Sequence, residues 1–333
     1  MRVDGDRRRY MDLGVVQYAS FPQVIAGTGP VAETIERVLA DEFFSAIEIT
    51  WIEDEQVKQQ VANSLSQAGM RVVFAGGPPY AMQRIHLSAL DEGERRESLV
   101  KAKRLVDDAY LFGAELHIIT AGPDTAPQDR ERAKGYLVES MVALSEYANS
   151  LASDRVVVLS LEPTDRDVHR NGLLGPTEEA VEVVREVRRQ GGAVWLTLDQ
   201  SHLTQLGEDA QDSIGLAQGF HVHMHLANCL LRDPKSPIYG DEHPRFGVPG
   251  GEHGIREVIA LFEALWRNGF FEKTIPYGER PIISVEVKPQ DHEDQELVLA
   301  NSKRVVENAW AHARTGALGE TLRDVSGGTE RES

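Results

Sequence analysis

The chain has 333 residues, 41% of them hydrophobic, with a formal net charge of −18. That length suits one large domain or two small ones around a sizeable core, and the spread of apolar residues excludes a disordered chain. The negative balance argues against a nucleic-acid surface, the single cysteine, Cys229, excludes an internal disulfide or thiolate cluster, and no apolar run is long enough to span a bilayer.

The N-terminal segment 1–12 reads as an arm, with Arg7-Arg8-Arg9 as a solvated charge run rather than a contact patch. No apolar stretch follows its charges, so it is not a secretory signal, and a cytoplasmic protein is expected. From Leu13 onward the chain divides into repeated units of short apolar strand, polar loop and helix-period segment. The strand candidates are Leu13–Tyr18, Ala46–Trp51, Arg71–Ala75 and Glu115–Thr120, then Val156–Glu162, Ala193–Asp199, Phe220–His225 and Ile282–Val287. Between them, helical periodicity covers Val31–Leu39, Gln56–Gln67, Arg95–Leu111, Arg130–Asn149, Thr177–Arg189 and Ile255–Asn268. Gly69, Gly113 and Gly269 follow three of these helices, where a left-handed C-cap favours a residue without Cβ.

Strand alternating with helix implies parallel pairing with right-handed crossovers. Eight such units point to closure as a single-domain (β/α)8 TIM barrel over 13–317, with 318–333 as a flexible polar tail. An open doubly wound sheet is the alternative. It normally carries a glycine-rich phosphate loop after an early strand, and here Gly27-Thr28-Gly29-Pro30 lacks the third glycine of that pattern. The longest irregular stretch runs from Asn228 to His253, a length usually reserved for lids and binding loops.

A strand buried on both faces should be continuously apolar, and four consecutive strands break that rule at the same place. Strand five ends in Glu162, strand six in Asp199, strand seven in His225, and strand eight carries Glu286 near its end. Barrel active sites lie at that C-terminal face. One carboxylate after a strand is more often a helix cap than a ligand, but three converging on one mouth repel unless protons or a cation neutralise them. A divalent ion held by three oxygens and one imidazole nitrogen resolves the repulsion. This hard donor set suits Mn²⁺, Mg²⁺ or Co²⁺, and also admits Zn²⁺. Two positions earlier on the same faces stand Ser160, Thr197, His223 and Ser284. They either orient the ligands or bond among themselves; His221 continues that face further down as a structural residue.

Glu162-Pro163, Asp199-Gln-Ser-His202, His225-Leu-Ala-Asn228 and Ser284-Val-Glu286-Val-Lys288, with Pro249–Ile255 reading PGGEHGI, together resemble the xylose isomerase-like barrel superfamily. That group contains sugar and sugar-phosphate isomerases and ketose 3-epimerases. The resemblance implies Glu162, Asp199, His225 and Glu286 as metal ligands, with Glu162 and Glu286 also moving protons. It implies substrate contacts for His202, Asn228 and an arginine, either Arg232 or Arg245, and places Asp165 and His169 where relatives have polar sugar contacts. Tyr18, Phe21, Trp51 and Tyr80 lie near early strand ends, either as an apolar wall for a sugar ring or as packing under loops.

The expected partner is therefore a small sugar or keto-sugar, not nucleic acid or membrane, and the expected activity is metal-dependent isomerisation or epimerisation through an enediolate. Relatives are often dimers or tetramers, so the resemblance leaves a homo-oligomer open. Three rivals stand beside this reading. One is a dehydratase of the inositol-derivative type using the same site. Another is an abasic-site DNA endonuclease, for which strands two to four offer only Glu48 and His117. The third is a non-catalytic sugar-binding barrel.

Overall fold

The computed structural model describes residues 5–326, with side chains to residue 313. Eight parallel strands close into a barrel in sequence order: β1 (Asp12–Val16), β2 (Ala46–Ile49), β3 (Arg71–Ala75), β4 (Leu116–Thr120), β5 (Val158–Glu162), β6 (Val194–Asp199), β7 (His221–Ala227) and β8 (Ile282–Glu286). β1 closes the ring on β8, pairing Asp12 with Ile282 and Gly14 with Ser284. The chain is thus the expected TIM barrel.

The strands hold two separate apolar layers. Inside the barrel, Ala46, Val73, Leu116, Ile118, Val158 and Ile282 form a small plug. Outside, the large core fills the space between strands and helices. Several helices present one apolar stripe to that core: in Val31–Leu39 the buried positions are Val31, Ala32, Thr34, Ile35 and Val38. Asp54, Asp91 and Asp209 cap helix N-termini through their side chains. Gly69, Gly113 and Gly269 have φ of 63°, 68° and 66°, the left-handed geometry expected of them.

Strand boundaries differ from expectation mainly at the rim. β1 stops at Val16 because Gln17–Ser20 turns into a short helix, and the buried Gln17 amide donates to Thr34 Oγ1 at 2.7 Å. β7 runs two residues past His225, and Ala227 pairs with Glu286. A register shift between Leu196 and Thr197 leaves Val222 as the extra residue on β7, since Leu196 pairs with His221 and Thr197 with His223. Alternation along β7 is broken there. His221 therefore does not continue the His223 and His225 face; its ring packs 4.5 Å from Phe270, and Val222 joins the interior plug.

Arg7 is not solvated, being 4% exposed and bonded to Glu307 and the Phe43 carbonyl, while Arg8 and Arg9 are exposed. The last helix spans Gln295–Ser326. The tail expected over 318–333 lies outside the residues whose side chains are described. Among the described residues no helix is long and apolar enough to cross a membrane.

Candidate metal centre and its pocket

Glu162, Asp199, His225 and Glu286 sit at or near the C-terminal ends of β5 to β8, and one ligand atom from each lies within 4.8 Å of every other. His225 Nδ1 is 3.0 Å from Glu162 Oε1, 3.1 Å from Glu286 Oε2 and 3.8 Å from Asp199 Oδ2. The two Asp199 oxygens are in different situations. Oδ1 caps the helix Gln200–Gln205, accepting from the backbone N–H of Ser201 at 2.6 Å and of His202 at 2.9 Å. Oδ2 is buried and has no hydrogen-bond partner. A buried carboxylate oxygen without a donor is costly, and a cation among the four ligand atoms relieves that cost. The donor set therefore fits a divalent ion on its geometry as well as its chemistry.

Electrostatics point the same way. Burial pushes the Glu286 carboxyl well above its ordinary pKa, and although His225 pulls it down, Asp199, Glu162 and Glu48 add to the rise. Burial disfavours the His225 imidazolium, yet Glu48, Glu286 and Glu162 together hold its pKa well above the ordinary value. The crowding of like charges thus favours a retained proton at Glu286 and at His225.

Beneath the four side chains lies the polar layer read from alternation. Ser160 Oγ and Thr197 Oγ1 are 2.7 Å apart, and His223 Nε2 is 3.2 Å from Ser284 Oγ. These residues bond to one another, and each is fully buried. β2 adds a residue that the sequence reading weighed only for the endonuclease alternative. Glu48 is 0% exposed, with both carboxylate oxygens 3.1 Å from His225 Nε2. His117, its companion in that alternative, is elsewhere: Nδ1 lies 3.1 Å from the Phe74 carbonyl, and the ring packs beside Phe74 and Tyr80.

A cavity of about 460 Å³ opens above the centre. Its β1–β3 side is largely apolar, with Tyr18, Tyr80, Pro78 and Ile85 on the wall; Phe21 and Trp51 are absent from its lining. The opposite side is polar, carrying Glu162, Arg170, His202, Asp241, His243 and Glu286. Of the expected substrate contacts, His202 lines this cavity, with its Nδ1 buried, without a hydrogen bond, and 3.5 Å from Asp241 Oδ1. Asn228 does not; its side chain donates to the Arg245 carbonyl at 3.0 Å and accepts from His253 N at 2.7 Å, bracing the loop. Arg232 is 74% exposed and paired with Glu252, and Arg245 is paired with Glu293, so neither lines the cavity.

The arginine that does line the cavity is Arg170. Asp165 receives the backbone N–H groups of Val168, His169 and Arg170 at 2.6–2.7 Å, fixing the loop after β5, and Arg170 then donates to the buried Asp241. Asp241 lies on the long loop before the helix Ile255–Arg267, and Gln205 and Ser201 also donate to it. Its backbone N–H donates to His169 Nδ1 at 2.9 Å, so the two loops are held together. Burial opposes the Asp241 charge, but Arg170, His202 and His243 outweigh it and hold the pKa well below the ordinary value. His243 has φ of 45°, unusual for a non-glycine residue, and its Nε2 lies 3.4 Å from Asp241 and 3.6 Å from Glu286. Arg170, Asp241 and His243 stand in loops with no local pattern to mark them. Glu48 interrupts an apolar strand, and the rule applied to strands five to eight would have found it.

Fold and site together define a (β/α)8 barrel with a carboxylate–imidazole centre at its mouth. The family model for the xylose isomerase-like TIM barrel matches residues 33–291, and the chain belongs to that family. Among solved structures it is similar to L-ribulose 3-epimerase, at 16% identity over 97% of this chain and 100% of that one, with a TM-score of 0.62. It is also similar to D-psicose 3-epimerase with D-tagatose from Clostridium cellulolyticum H10, at 16% identity over 92% and 99% of the two chains and a TM-score of 0.63. A third is the IOLI protein with a binding zinc atom, at 15% identity over 91% and 99% and a TM-score of 0.65. At such identities the likeness is one of fold. No curated protein matches the chain in sequence.

Proposed function

We propose that this chain is a divalent-metal-dependent isomerase or epimerase of a sugar, keto-sugar or related polyol. The observation that carries the reading is the convergence of Glu162, Asp199, His225 and Glu286 within 4.8 Å, with Asp199 Oδ2 buried and unbonded. Family membership and epimerase neighbours support it. A bound divalent ion would supply Lewis-acid stabilisation of the enediolate that forms when carbon beside a carbonyl loses its proton.

The chain's own residues supply the rest. Glu162 and Glu286 approach the same His225 nitrogen from different strands, and a carboxylate on each side of a sugar carbon can remove a proton and return one. His202, Arg170 and His243 offer hydrogen-bonding groups for hydroxyl oxygens, and Tyr18 and Tyr80 offer an apolar wall to the ring. The cavity volume falls in the range of small-molecule sites.

The test is metal analysis, then a keto-sugar screen in deuterated water with products identified by NMR. An epimer or isomer carrying deuterium at the reacting carbon is expected, and Glu286→Gln should lower turnover by about 10²–10⁴-fold. Full activity in that variant ends the proposal, and water loss with an ultraviolet-absorbing product replaces it with the dehydratase.

A further inference from the structure

The metal centre proposed above leaves one buried carboxylate without a role. Glu48 lies inside the barrel on β2, fully buried, and among the described residues its carboxylate hydrogen-bonds only to His225 Nε2, with both oxygens at 3.1 Å. The nearest further imidazole nitrogen, His223 Nε2, is 3.7 Å away and lies closer to Ser284 Oγ, at 3.2 Å. A carboxylate buried in such a place requires a donor, and His225 Nε2 is the nitrogen that faces it.

We infer that Glu48 is a positioning residue, locking the His225 imidazole with its proton on Nε2 and its Nδ1 lone pair toward Glu162, Asp199 and Glu286. This rests on the metal reading of that cluster. A neutral imidazole has one N–H and one lone pair, and the hydrogen bond made by one nitrogen decides which the other presents. Without Glu48 either nitrogen could hold the proton, and one arrangement would turn an N–H on the cation. The ring plane is fixed as well, since His223 packs against His225 edge-on at 89° with centroids 4.9 Å apart. Glu48 therefore sets which atom His225 offers.

Glu48, His223 and His225 also lie close enough to hold a second ion of their own. That arrangement would take His225 Nε2 as a ligand while Nδ1 faces the first centre, leaving the ring no proton at all. The inferred hydrogen bond and the second ion exclude each other, so stoichiometry separates them.

The experiment uses the full chain after chelation, titrated with Mn²⁺ and with Zn²⁺ by calorimetry, for wild type, Glu48→Gln and Glu48→Ala. Ring nitrogen shifts of the zinc-loaded proteins are read by ¹⁵N NMR. Wild type should bind one equivalent, with the His225 shifts of an Nε2–H tautomer. Glu48→Ala should weaken binding toward a hundredfold and lose that signature, while the isosteric Glu48→Gln, whose amide oxygen still accepts, should weaken it about tenfold and keep it. Wild-type affinity and shifts in Glu48→Ala, or two equivalents in wild type, overturn the inference alone. Wild type binding neither ion overturns the metal centre and this inference with it.

Discussion

At the N-terminal end of the barrel, Arg71 donates to Asp12 at 2.7 Å and to Glu115 at 2.6 Å, and Arg280 adds a contact to Asp12 at 3.2 Å. Two guanidinium groups meet two carboxylates there, and the Arg280 and Tyr277 carbonyls accept the remaining Arg71 N–H groups. At the C-terminal mouth, the carboxylates of Glu48, Glu162, Asp199 and Glu286 surround the imidazole of His225. Both clusters are largely buried and both use strand ends. One balances its charge internally. The other sets four carboxylates around one imidazole, and the metal site proposed above rests on that imbalance. The two clusters differ in the sign of their charge imbalance rather than in the density of buried charge.

Three substitutions sharpen this contrast. Arg71→Met strands two mostly buried carboxylates and should cost about 3–5 kcal/mol in urea unfolding, with metal affinity of the folded fraction unchanged. A weakened metal site in that variant would mean the two ends are not independent.

Asp199→Asn keeps the helix cap but removes one like charge from the mouth. Burial opposes the Asp199 charge, but His202, His243 and His225 outweigh it and hold its pKa below the ordinary value, so metal-free the variant should be less stable than wild type by about 0.5–2 kcal/mol, a smaller loss than at the other end. Wild type at a hundredfold excess of Mn²⁺ over Kd should gain about 2.7 kcal/mol, and the variant should lose most of that gain. Thermal unfolding with and without the ion reads both, and a variant that keeps the full Mn²⁺-dependent gain would place Asp199 outside the centre.

The smallest effect concerns a lone cation near the N-terminal end. Lys273 donates to the His221 carbonyl and lies 4.4 Å from the Phe270 ring centroid, and burial pushes its pKa from 10.5 down to about 7. Above pH 7 the folded chain has released a proton that the unfolded chain still holds, so stability climbs with pH until the unfolded lysine also titrates. Relative to Lys273→Met, wild type should gain about 1 kcal/mol between pH 7 and pH 9, discounted for partial exposure. Parallel curves for the two proteins would remove Lys273 as the source.

The barrel and the convergence of Glu162, Asp199, His225 and Glu286 are legible in the sequence because both follow from local pattern. Alternation gives the strand, closure gives the neighbour, and a carboxylate ending a buried run has few other reasons to stand there. The arginine at the mouth was not legible. Arg232, Arg245 and Arg170 all sit in polar loops, and which one reaches the cavity depends on Asp165 folding its own loop and on Asp241 arriving from a loop about seventy residues later. The β7 register shift is similarly tertiary: His221, His223 and His225 read as one face, and only pairing with β6 turns His221 away.

The β1–β8 seam carries a constraint on how this site can change. A Cβ at Gly14 would lie 2.6 Å from Ser284 Oγ, whose hydroxyl in turn meets His223. Any side chain introduced at position 14 displaces the serine and tilts the histidine above which the ligands stand. A side chain at position 14 is therefore coupled to position 284, and Gly14→Ala should be tolerated better together with Ser284→Gly than alone. Randomising the two as a pair opens routes to new specificities that stepwise change does not reach.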